Sequence, residues 1–124
     1  MYKLRVEAEF AAAHFLSHYR GKCENLHGHN YRVRVWVKGE KLDEGGMVVD
    51  FSLLKKALRE AIGLLDHTNL NDNAFFMNDP SAERIARFLH DEVKNRLKAS
   101  GIDIIPCAVD VFETSTGMAR YFEG

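Results

Sequence analysis

The chain has 124 residues, of which 46% are hydrophobic and 28% are charged, with a formal net charge of -1 at pH 7. This length suits one domain with one core, and the composition is typical of soluble globular proteins and argues against disorder. The near-neutral charge argues against a nucleic-acid-binding surface, and the N-terminus carries no apolar run like a signal peptide or a membrane span. We therefore expect a cytoplasmic protein with a single domain over residues 1–124 and with neither nucleic acid nor membrane as a partner.

Two segments in the first third of the chain alternate between apolar and polar residues, which is typical of half-buried strands. In the first segment every second residue of 4–12 is apolar, and the same parity places His14 on the apolar side. In the second segment every second residue of 31–37 is apolar, and His27 and His29 share that parity. Two strands therefore direct three histidines toward the same covered side.

The spacing of these histidines predicts a metal site. Residues two apart in an extended segment point to the same side, so His27 and His29 can bind one ion, and His14 supplies a third ligand. A set of three histidines leaves one position of Zn2+ open for water or substrate. Cys23, four residues before His27, is either a fourth ligand or a reactive thiolate.

Two amphipathic helices are predicted in the middle of the chain. Asp50 can cap the first helix, which fades near Asp66. The pair Asp79-Pro80 predicts the start of the second helix, with aspartate as the cap and proline at the first helical position. His90 lies on the flank of the second helix, where we expect a solvated side chain.

The last third returns to strands. Residues 105–111 alternate, with Cys107 interpreted as a core residue, and Glu113 has the same parity at the end of this strand. A short final strand follows over Met118–Phe122. The order ββααββ predicts an α+β protein in which two helices cover one face of a four-stranded antiparallel sheet.

Six motifs in chain order cover nearly the whole sequence: Phe10-Ala11-Ala12-Ala13-His14, Cys23-x3-His27-Gly28-His29, Asp50-Phe51, Leu65-Asp66-His67, Pro80-Ser81-x-Glu83 and Glu113-Thr114-x-Thr116. Together they resemble the family of 6-pyruvoyl-tetrahydropterin and 6-carboxy-tetrahydropterin synthases. The resemblance implies the tunnelling fold, a homohexamer built as a dimer of trimers, and 7,8-dihydroneopterin triphosphate as the substrate.

The resemblance also implies a reaction, that of a zinc-dependent lyase. Zinc would acidify a C–H bond of the substrate side chain, Cys23 would accept that proton, and the Asp66-His67 pair would assist it. In the branch that feeds queuosine and related deazapurines, the products are 6-carboxy-5,6,7,8-tetrahydropterin, acetaldehyde and triphosphate. In the alternative branch the pyruvoyl side chain is retained. Neither a nicotinamide nor a flavin is required.

Substrate contacts are expected at Glu113, whose carboxylate can accept two adjacent N–H groups of a pterin ring. Arg20 and Lys22 are the basic residues nearest the Cys-His motif and are the candidates for binding the triphosphate. Glu24 follows Cys23 directly, and a related branch of the family uses a glutamate there to form 6-hydroxymethyl-dihydropterin for folate synthesis. Glu24 is therefore either a solvated loop residue or the mark of a dual-function enzyme.

Two alternatives of other kinds remain open. In a zinc-stabilised binding domain Cys23 would complete a closed site of four ligands, and no pterin would be turned over. In a cyclohydrolase or aldolase relative, the same fold would carry a different reaction. A cyclohydrolase would release formate from GTP, so the products distinguish these enzymes.

Overall fold

The computed structural model describes residues 1–21 and 24–123. Its elements in chain order are β1 (Tyr2–His14), β2 (His27–Gly39), α1 (Phe51–Gly63), β3 (Thr68–Asn69), α2 (Ala82–Ala99), β4 (Pro106–Thr114) and β5 (Gly117–Tyr121). Two short 3-10 turns, Leu70–Asp72 and Ala74–Phe76, lie between β3 and α2. Neither helix of these residues combines the length and the apolar character needed to cross a membrane.

The strands form one sheet in the order β3-β1-β2-β4-β5. The pairs β1–β2, β2–β4 and β4–β5 are antiparallel, and β3 pairs with β1 in parallel. The expected sheet of four antiparallel strands is therefore wrong in detail, because the described sheet is mixed and has five strands. The added strand arises where His67, with a φ of 59°, turns the chain so that Thr68–Asn69 lie beside Ala12–Ala13. Two residues are too few to show a strand period in the sequence.

Both helices pack against one face of the sheet, as predicted. The strand residues facing them are the alternating apolar positions of β1, β2 and β4, and Tyr31 and Val33 are fully buried. Tyr31 stacks on Phe10 with 4.8 Å between ring centroids. The core consists of these strand residues and the apolar stripes of the helices: Val6, Phe10, Tyr31, Val33, Val35, Val37, Leu54, Leu58, Ile85, Leu89, Val93, Leu97, Val109 and Val111.

The helix starts are set by side-chain caps. The Ser52 N–H donates to Asp50 Oδ1 over 2.8 Å, which confirms Asp50 as the cap of α1. The predicted cap of α2 is wrong, because Ser81 occupies that position and accepts from the Arg84 N–H. Asp79 is instead hydrogen-bonded to Ser17 and His18, so its carboxylate is not directed at the helix.

Two side chains lie in surroundings that differ from the prediction. His90 is fully buried, its Nε2 lies 3.1 Å from the Pro106 carbonyl oxygen, and its ring packs edge-on against Tyr121. The expectation of a solvated His90 is therefore wrong. Cys107 is only half-buried, because Trp36 pairs with Ala108 while Val37 pairs with Pro106. Cys107 is thus the extra residue of a β-bulge and not a core position.

Candidate metal centre

The three histidines are brought together by the register of β1 and β2. His14 lies directly opposite His27, and His29 lies opposite Ala12, on the face of the sheet that also carries the core. The ring centroid of His14 is 4.7 Å from that of His27 and 5.0 Å from that of His29. The ring centroids of His27 and His29 are 4.9 Å apart. One ligand atom from each lies within 4.8 Å of the others. The three imidazoles therefore meet at one point, where β1 ends and β2 begins.

Two backbone carbonyls determine which ring nitrogens face that point. His14 Nδ1 lies 2.9 Å from the Pro80 oxygen, and His27 Nδ1 lies 2.8 Å from the Asn25 oxygen. A carbonyl oxygen only accepts, so each Nδ1 carries a proton and donates it. In the neutral rings each Nε2 then bears a lone pair, which is the form that binds metals, with the carbonyl as the orienting partner.

The surroundings of the three Nε2 atoms favour a bound cation. The Nε2 atoms of His14 and His27 are only 3.1 Å apart. His29 Nε2 is buried and has no hydrogen-bond partner among the described residues. Two facing lone pairs and a third unsatisfied nitrogen are unfavourable unless a positive charge lies among them. The donor set therefore fits a metal ion that prefers imidazole nitrogen.

Glu113 adds a negative charge to this cluster. Its Oε1 lies 3.2 Å from His14 Nε2 and 3.7 Å from His29 Nε2. These two contacts place the side chain on the face that carries the core, where its parity predicted it, although the register with β5 shifts between Phe112 and Thr114. Its carboxylate is 35% exposed and is thus also accessible from outside the cluster.

The electrostatic environment keeps His29 in its neutral form. Burial lowers the pKa of His29 below its ordinary value, and the negative charges of Glu113 and Glu24 only partly oppose that effect. Burial likewise raises the pKa of the neighbouring Tyr31, whose ring is 5.5 Å from that of His29. A neutral imidazole has a lone pair for a metal, so the lowered pKa favours the ligand state.

Asp66 and His67 form an acid–imidazole pair through a left-handed turn. Asp66 Oδ2 is 3.1 Å from His67 Nδ1, which is possible for adjacent residues because His67 has a positive φ of 59°. Asp66 Oδ1 accepts the Ala11 N–H at 3.0 Å, and this bond lowers the pKa of Asp66, with a further contribution from the charge of His67. The carboxylate is thus ionised, and it orients an imidazole whose side chain is 83% exposed.

A surface cleft borders one histidine of the cluster and the histidine of this pair. It has a volume of about 550 Å³ and is lined by His29 and His67 together with the small residues between them on β1, β2 and β3. A second groove, of about 470 Å³, lies on the other side of Glu113 and is lined by Glu83, Thr114 and Met118 among others. His29 and His67 therefore border one surface cavity, and Glu113 borders another.

The 6-pyruvoyl tetrahydropterin synthase family matches residues 3–124. The chain belongs to this family. The 6-carboxy-5,6,7,8-tetrahydropterin synthase of Synechocystis sp. is 40% identical over 98% of this chain and 94% of its own length. The protein of the same name from Bacillus subtilis is 36% identical, with 97% and 84% covered. The family resemblance predicted from the six motifs is confirmed.

The fold agrees with that of solved family members. The 6-pyruvoyl tetrahydropterin synthase of Caenorhabditis elegans has a TM-score of 0.83 at 28% identity, covering 99% of this chain and 96% of its own. The synthase of Plasmodium vivax has a TM-score of 0.80 at 23% identity, covering 99% and 98%. The chain thus shares its fold with these solved synthases.

Of the remaining predicted site residues, the structure describes two and leaves two undescribed. Cys23 and Lys22 lie outside the described residues. Arg20 is exposed, and its guanidinium lies 5.2 Å from the ring centroid of its neighbour Tyr19. Glu24 is half-buried, and its Oε1 accepts the Leu16 N–H at 3.0 Å.

Sequence reasoning missed the carbonyl groups that orient His14 and His27. The Asn25 oxygen lies two residues before its histidine, so the short link between them was a usable signal. The Pro80 oxygen lies 66 residues beyond His14, and no local pattern connects the two. The motif Pro80-Ser81-x-Glu83 marked the segment without revealing that its first carbonyl accepts a hydrogen bond from His14.

Proposed function

We propose that the chain is a zinc-dependent lyase that converts 7,8-dihydroneopterin triphosphate into 6-carboxy-5,6,7,8-tetrahydropterin, with release of acetaldehyde and triphosphate. The observation that carries this proposal is the convergence of three histidine Nε2 atoms on one point beside Glu113. The two bacterial relatives named above bear the name of this product. The reaction belongs to the pathway of queuosine and related deazapurines.

The proposed ligands are His14, His27 and His29. Zinc bound to them would supply a Lewis acid that polarises the hydroxyl groups of the substrate side chain and makes the adjacent C–H bonds more acidic. Zinc is favoured because three neutral imidazoles suit this ion and leave a position open. The lowered pKa of His29 supports its role as a ligand, since a ligand has to be deprotonated.

The proton transfers are assigned to residues of the chain. Cys23 is proposed as the base for the carbon-bound proton, because a thiolate close to a cation has a lowered pKa. His67 is proposed to carry a proton, with its Nδ1 oriented by the ionised Asp66 at 3.1 Å. The high exposure of His67 and the open cleft support access by substrate from outside the subunit.

Glu113 is proposed to anchor the pterin ring. Its carboxylate would accept two adjacent N–H groups of the ring, and a charge-assisted pair of this kind gives both orientation and affinity. The groove beyond Glu113 has a volume of about 470 Å³, which is within the range of small-molecule sites. Lys22 and Arg20 remain the proposed contacts of the triphosphate, on their nearness in sequence to Cys23.

We further propose that a single domain over residues 1–124 assembles into a cytoplasmic homohexamer of the tunnelling fold, as a dimer of trimers. The support is the open pairing edge of β5 and of most of β1, since β3 covers only Ala12 and Ala13 of that strand. A neighbouring subunit could also bring a second acid–imidazole pair toward each metal centre.

A second candidate is a dual-function enzyme that also forms 6-hydroxymethyl-dihydropterin. It is favoured by the position of Glu24. The negative charge of this residue raises the pKa of both His29 and Tyr31, although burial has the larger effect on each. A carboxylate close to the histidine cluster could remove a hydroxyl proton and start a retro-aldol cleavage.

The deciding experiment is chromatographic analysis of the pterin products formed from 7,8-dihydroneopterin triphosphate, together with an assay of acetaldehyde. We expect 6-carboxy-tetrahydropterin and acetaldehyde from the parent, and loss of both in Cys23→Ala by a factor of about 10² to 10⁴. Cys107→Ala is the matched control and should keep the parent rate, because Cys107 lies in the bulge of β4.

Each alternative gives a different result. A 6-pyruvoyl product without acetaldehyde would indicate the other synthase branch, and formate released from GTP would indicate a cyclohydrolase. A hydroxymethyl product that disappears in Glu24→Ala while the carboxy product remains would establish the dual function. If zinc binds but no pterin is turned over, and zinc shields Cys23 from alkylation, the protein is a zinc-stabilised binding domain.

A further inference from the structure

His90 is a fully buried histidine that directs one ring nitrogen at two carboxylates. Its Nε2 lies 3.1 Å from the Pro106 carbonyl oxygen. A carbonyl oxygen only accepts, so Nε2 carries the proton, and in the neutral ring Nδ1 then bears a lone pair. Nδ1 lies 3.2 Å from Asp91 Oδ1 and 3.9 Å from Glu123 Oε1. Among the described residues, the lone pair of Nδ1 therefore faces acceptors and no donor.

This arrangement is unfavourable unless a positive charge lies between the three groups. A buried lone pair opposite carboxylate oxygens gains no hydrogen bond and is repelled by their negative charge. Arg87 supplies a cation from the same helix, but its Nε lies 4.0 Å from Asp91 Oδ2, which is the oxygen that does not contact His90. Its guanidinium also lies over the ring of Tyr121, 5.5 Å from the centroid. Arg87 thus compensates part of the charge of Asp91 without satisfying the lone pair of His90.

The spacing of the three groups suits a divalent metal ion. One ligand atom from each of His90, Asp91 and Glu123 lies within 4.8 Å of the others. Two ligands at about 2.0–2.1 Å from a tetrahedral zinc ion are about 3.3 Å apart, close to the 3.2 Å between His90 Nδ1 and Asp91 Oδ1. Glu123 Oε1 is more distant, but the side chain is 58% exposed and so has room to approach. A mixed set of imidazole and carboxylate ligands suits zinc and similar transition-metal ions.

The Pro106 carbonyl meets a further requirement of a metal-binding histidine. Such a histidine donates its other ring N–H to a carbonyl or carboxylate, which fixes the tautomer and the orientation of the ring. His14 and His27 show the same arrangement with the nitrogens exchanged, because there Nδ1 donates to a carbonyl. Packing against Tyr121, with 4.9 Å between ring centroids, restricts the ring of His90 as well. His90 is therefore oriented for an ion at Nδ1.

The cluster of His90, Asp91 and Glu123 is separate from the three-histidine centre. Pro106 begins β4, and Glu113, which contacts the three-histidine centre, lies seven residues farther along that strand. Seven residues of an extended strand span roughly 23 Å. The side chains of Asp91 and Glu123 are 44% and 58% exposed, so an ion has access to them from solvent.

We propose that His90, Asp91 and Glu123 form a second metal site, which takes a divalent transition-metal ion and ties the C-terminal end of the chain to α2. The ion would bind the lone pair of Nδ1 and one oxygen of each carboxylate, with water completing its coordination. Residues 90 and 91 belong to α2 and residue 123 follows β5, so the ion joins two segments that are distant in sequence. This C-terminal site, as we call the three residues, does not rest on the proposed function and has no part in the proposed reaction.

Zinc binding by the full chain in its assembled form tests the C-terminal site. In equilibrium dialysis followed by elemental analysis, the parent should bind two zinc ions per chain at saturation. Glu123→Gln should keep the ion of the three-histidine centre and bind the second ion at least about tenfold more weakly, since the loss of even an outer partner of a metal ligand costs that much. The exposed side chain of Glu123 makes this variant compatible with the parent fold.

The matched control is Glu92→Gln, which removes a carboxylate from the next position of the same helix. The Glu92 side chain lies 3.6 Å from Arg96, and it is not part of the C-terminal site. This variant should bind both zinc ions as tightly as the parent. Weakening of the second ion by the same factor in Glu92→Gln and Glu123→Gln would show a general effect of charge and overturn the site.

Two further variants assign the ions to their sites. His90→Gln keeps a donor that can reach the Pro106 oxygen but removes the Nδ1 ligand, so it should lose the second ion and keep the first. His29→Ala should give the opposite result. If His90→Gln does not fold, Asp91→Asn takes its place, because the Asp91 side chain is 44% exposed. Failure of the C-terminal site and failure of the three-histidine centre are thus distinguishable.

Nitrogen NMR of the His90 ring separates a bound metal ion from a proton. Saturating zinc should shift the Nδ1 resonance and leave the Nε2 proton in place. If Nδ1 carries a proton at neutral pH with zinc in excess, the positive charge of the cluster is an imidazolium, and the proposal is overturned. A parent that saturates at one zinc ion per chain would overturn it as well, as would a second ion that Glu123→Gln and His90→Gln bind as tightly as the parent.

Discussion

His14 and His27 have little freedom in how they present their ring nitrogens. Each Nδ1 is bound by a carbonyl oxygen, and the two Nε2 atoms face one another at 3.1 Å. The orientation is therefore set by the backbone before any ion arrives, which lowers the entropy lost on binding. His29 differs, because it lacks such a partner among the described residues and depends on packing against Tyr31.

The metal content of single variants should reflect these roles. His29→Ala removes one of three proposed ligands and should lower bound zinc well below one ion per chain, with loss of turnover. His67→Ala should keep its zinc, because the His67 side chain is exposed and bound to Asp66 rather than to the cluster. Elemental analysis after gel filtration gives the result, and full zinc retention by His29→Ala would contradict the assignment.

Glu113 should affect substrate binding more than metal binding. In Glu113→Gln one acceptor oxygen becomes a donor, so the proposed fork to the pterin is lost and KM should rise by about tenfold to a hundredfold. The matched control is Glu83→Gln, since Glu83 is an exposed carboxylate that lines the same groove. KM and zinc content are measured together. If zinc is lost while KM is unchanged, Glu113 is a ligand and not an anchor.

At the scale of elements, the sequence predicted the features that show a repeated hydrophobic period over several residues. Alternation in β1, β2 and β4 correctly placed His14, His27, His29 and Glu113 on the covered face. It could not show β3, which has two residues, or the bulge that displaces Cys107. The hydrogen bonds of the Phe15 N–H to Asn71 and of the Ser17 N–H to Asp79 were also beyond reach, since they join residues 56 and 62 positions apart and follow from the folded path alone.

His90 was misjudged although its spacing carried a signal. It follows Ala86 by four residues and precedes Val93 by three, so it belongs to the buried stripe of α2. The prediction followed the polar side chain of His90 and not its position in this stripe. A buried histidine needs a hydrogen-bond partner. For His90 that partner is the Pro106 oxygen, which belongs to β4 and could not be inferred from the helix alone.

The connection before α2 should show a distinct dependence on pH. Hydrogen bonds from His18 and then Ser17 lower the pKa of Asp79 from 3.8 to about 2. A carboxyl group whose pKa is lowered by folding adds stability above pH 3.8, and this contribution disappears as the pH falls to about 2. The parent should therefore have a higher Tm than Asp79→Asn near neutral pH, and the difference should vanish in strong acid.

Thermal unfolding of the parent and of Asp79→Asn across the acid range checks this expectation. Asp72→Asn serves as the control, because its exposed carboxylate has no hydrogen bond to the described residues, and its difference from the parent should be small at every pH. A difference between the parent and Asp79→Asn that persists unchanged down to about pH 2 would contradict the role of the ionised carboxylate.

At the scale of the whole molecule, the uncovered face of the sheet is rich in arginine and aromatic side chains. Arg5 and Arg120 lie against Trp36, at 5.8 Å and 5.7 Å, and two further arginines lie at 4.8 Å from Phe112. Asp110 beneath them is only 1% exposed. Burial alone would raise the pKa of Asp110, but bonds from Arg120 and Trp36 lower it, so the carboxylate stays charged.

This face and the two sheet edges make association the expected state. An unpaired strand edge presents free N–H and C=O groups, and barrels formed by several subunits remove such edges. Light scattering at concentrations where the protein is active should therefore give a hexamer, or a trimer as its building block. An active monomer would contradict the assembly. It would also require that one subunit contain every catalytic group.

The position of the three histidines in one hairpin has a consequence for the order of folding. β1 and β2 are neighbours in sequence, and their pairing brings His14 directly opposite His27 without help from the rest of the chain. Glu113 and His67 join only when distant segments dock, and contacts of long sequence separation form more slowly. The nascent hairpin is thus the first part of the chain able to capture an ion. The proposed metal ion, if bound at that stage, would be a nucleus on which β4 and the helices assemble, and the Pro80 carbonyl would fix the ring of His14 only when its segment docks.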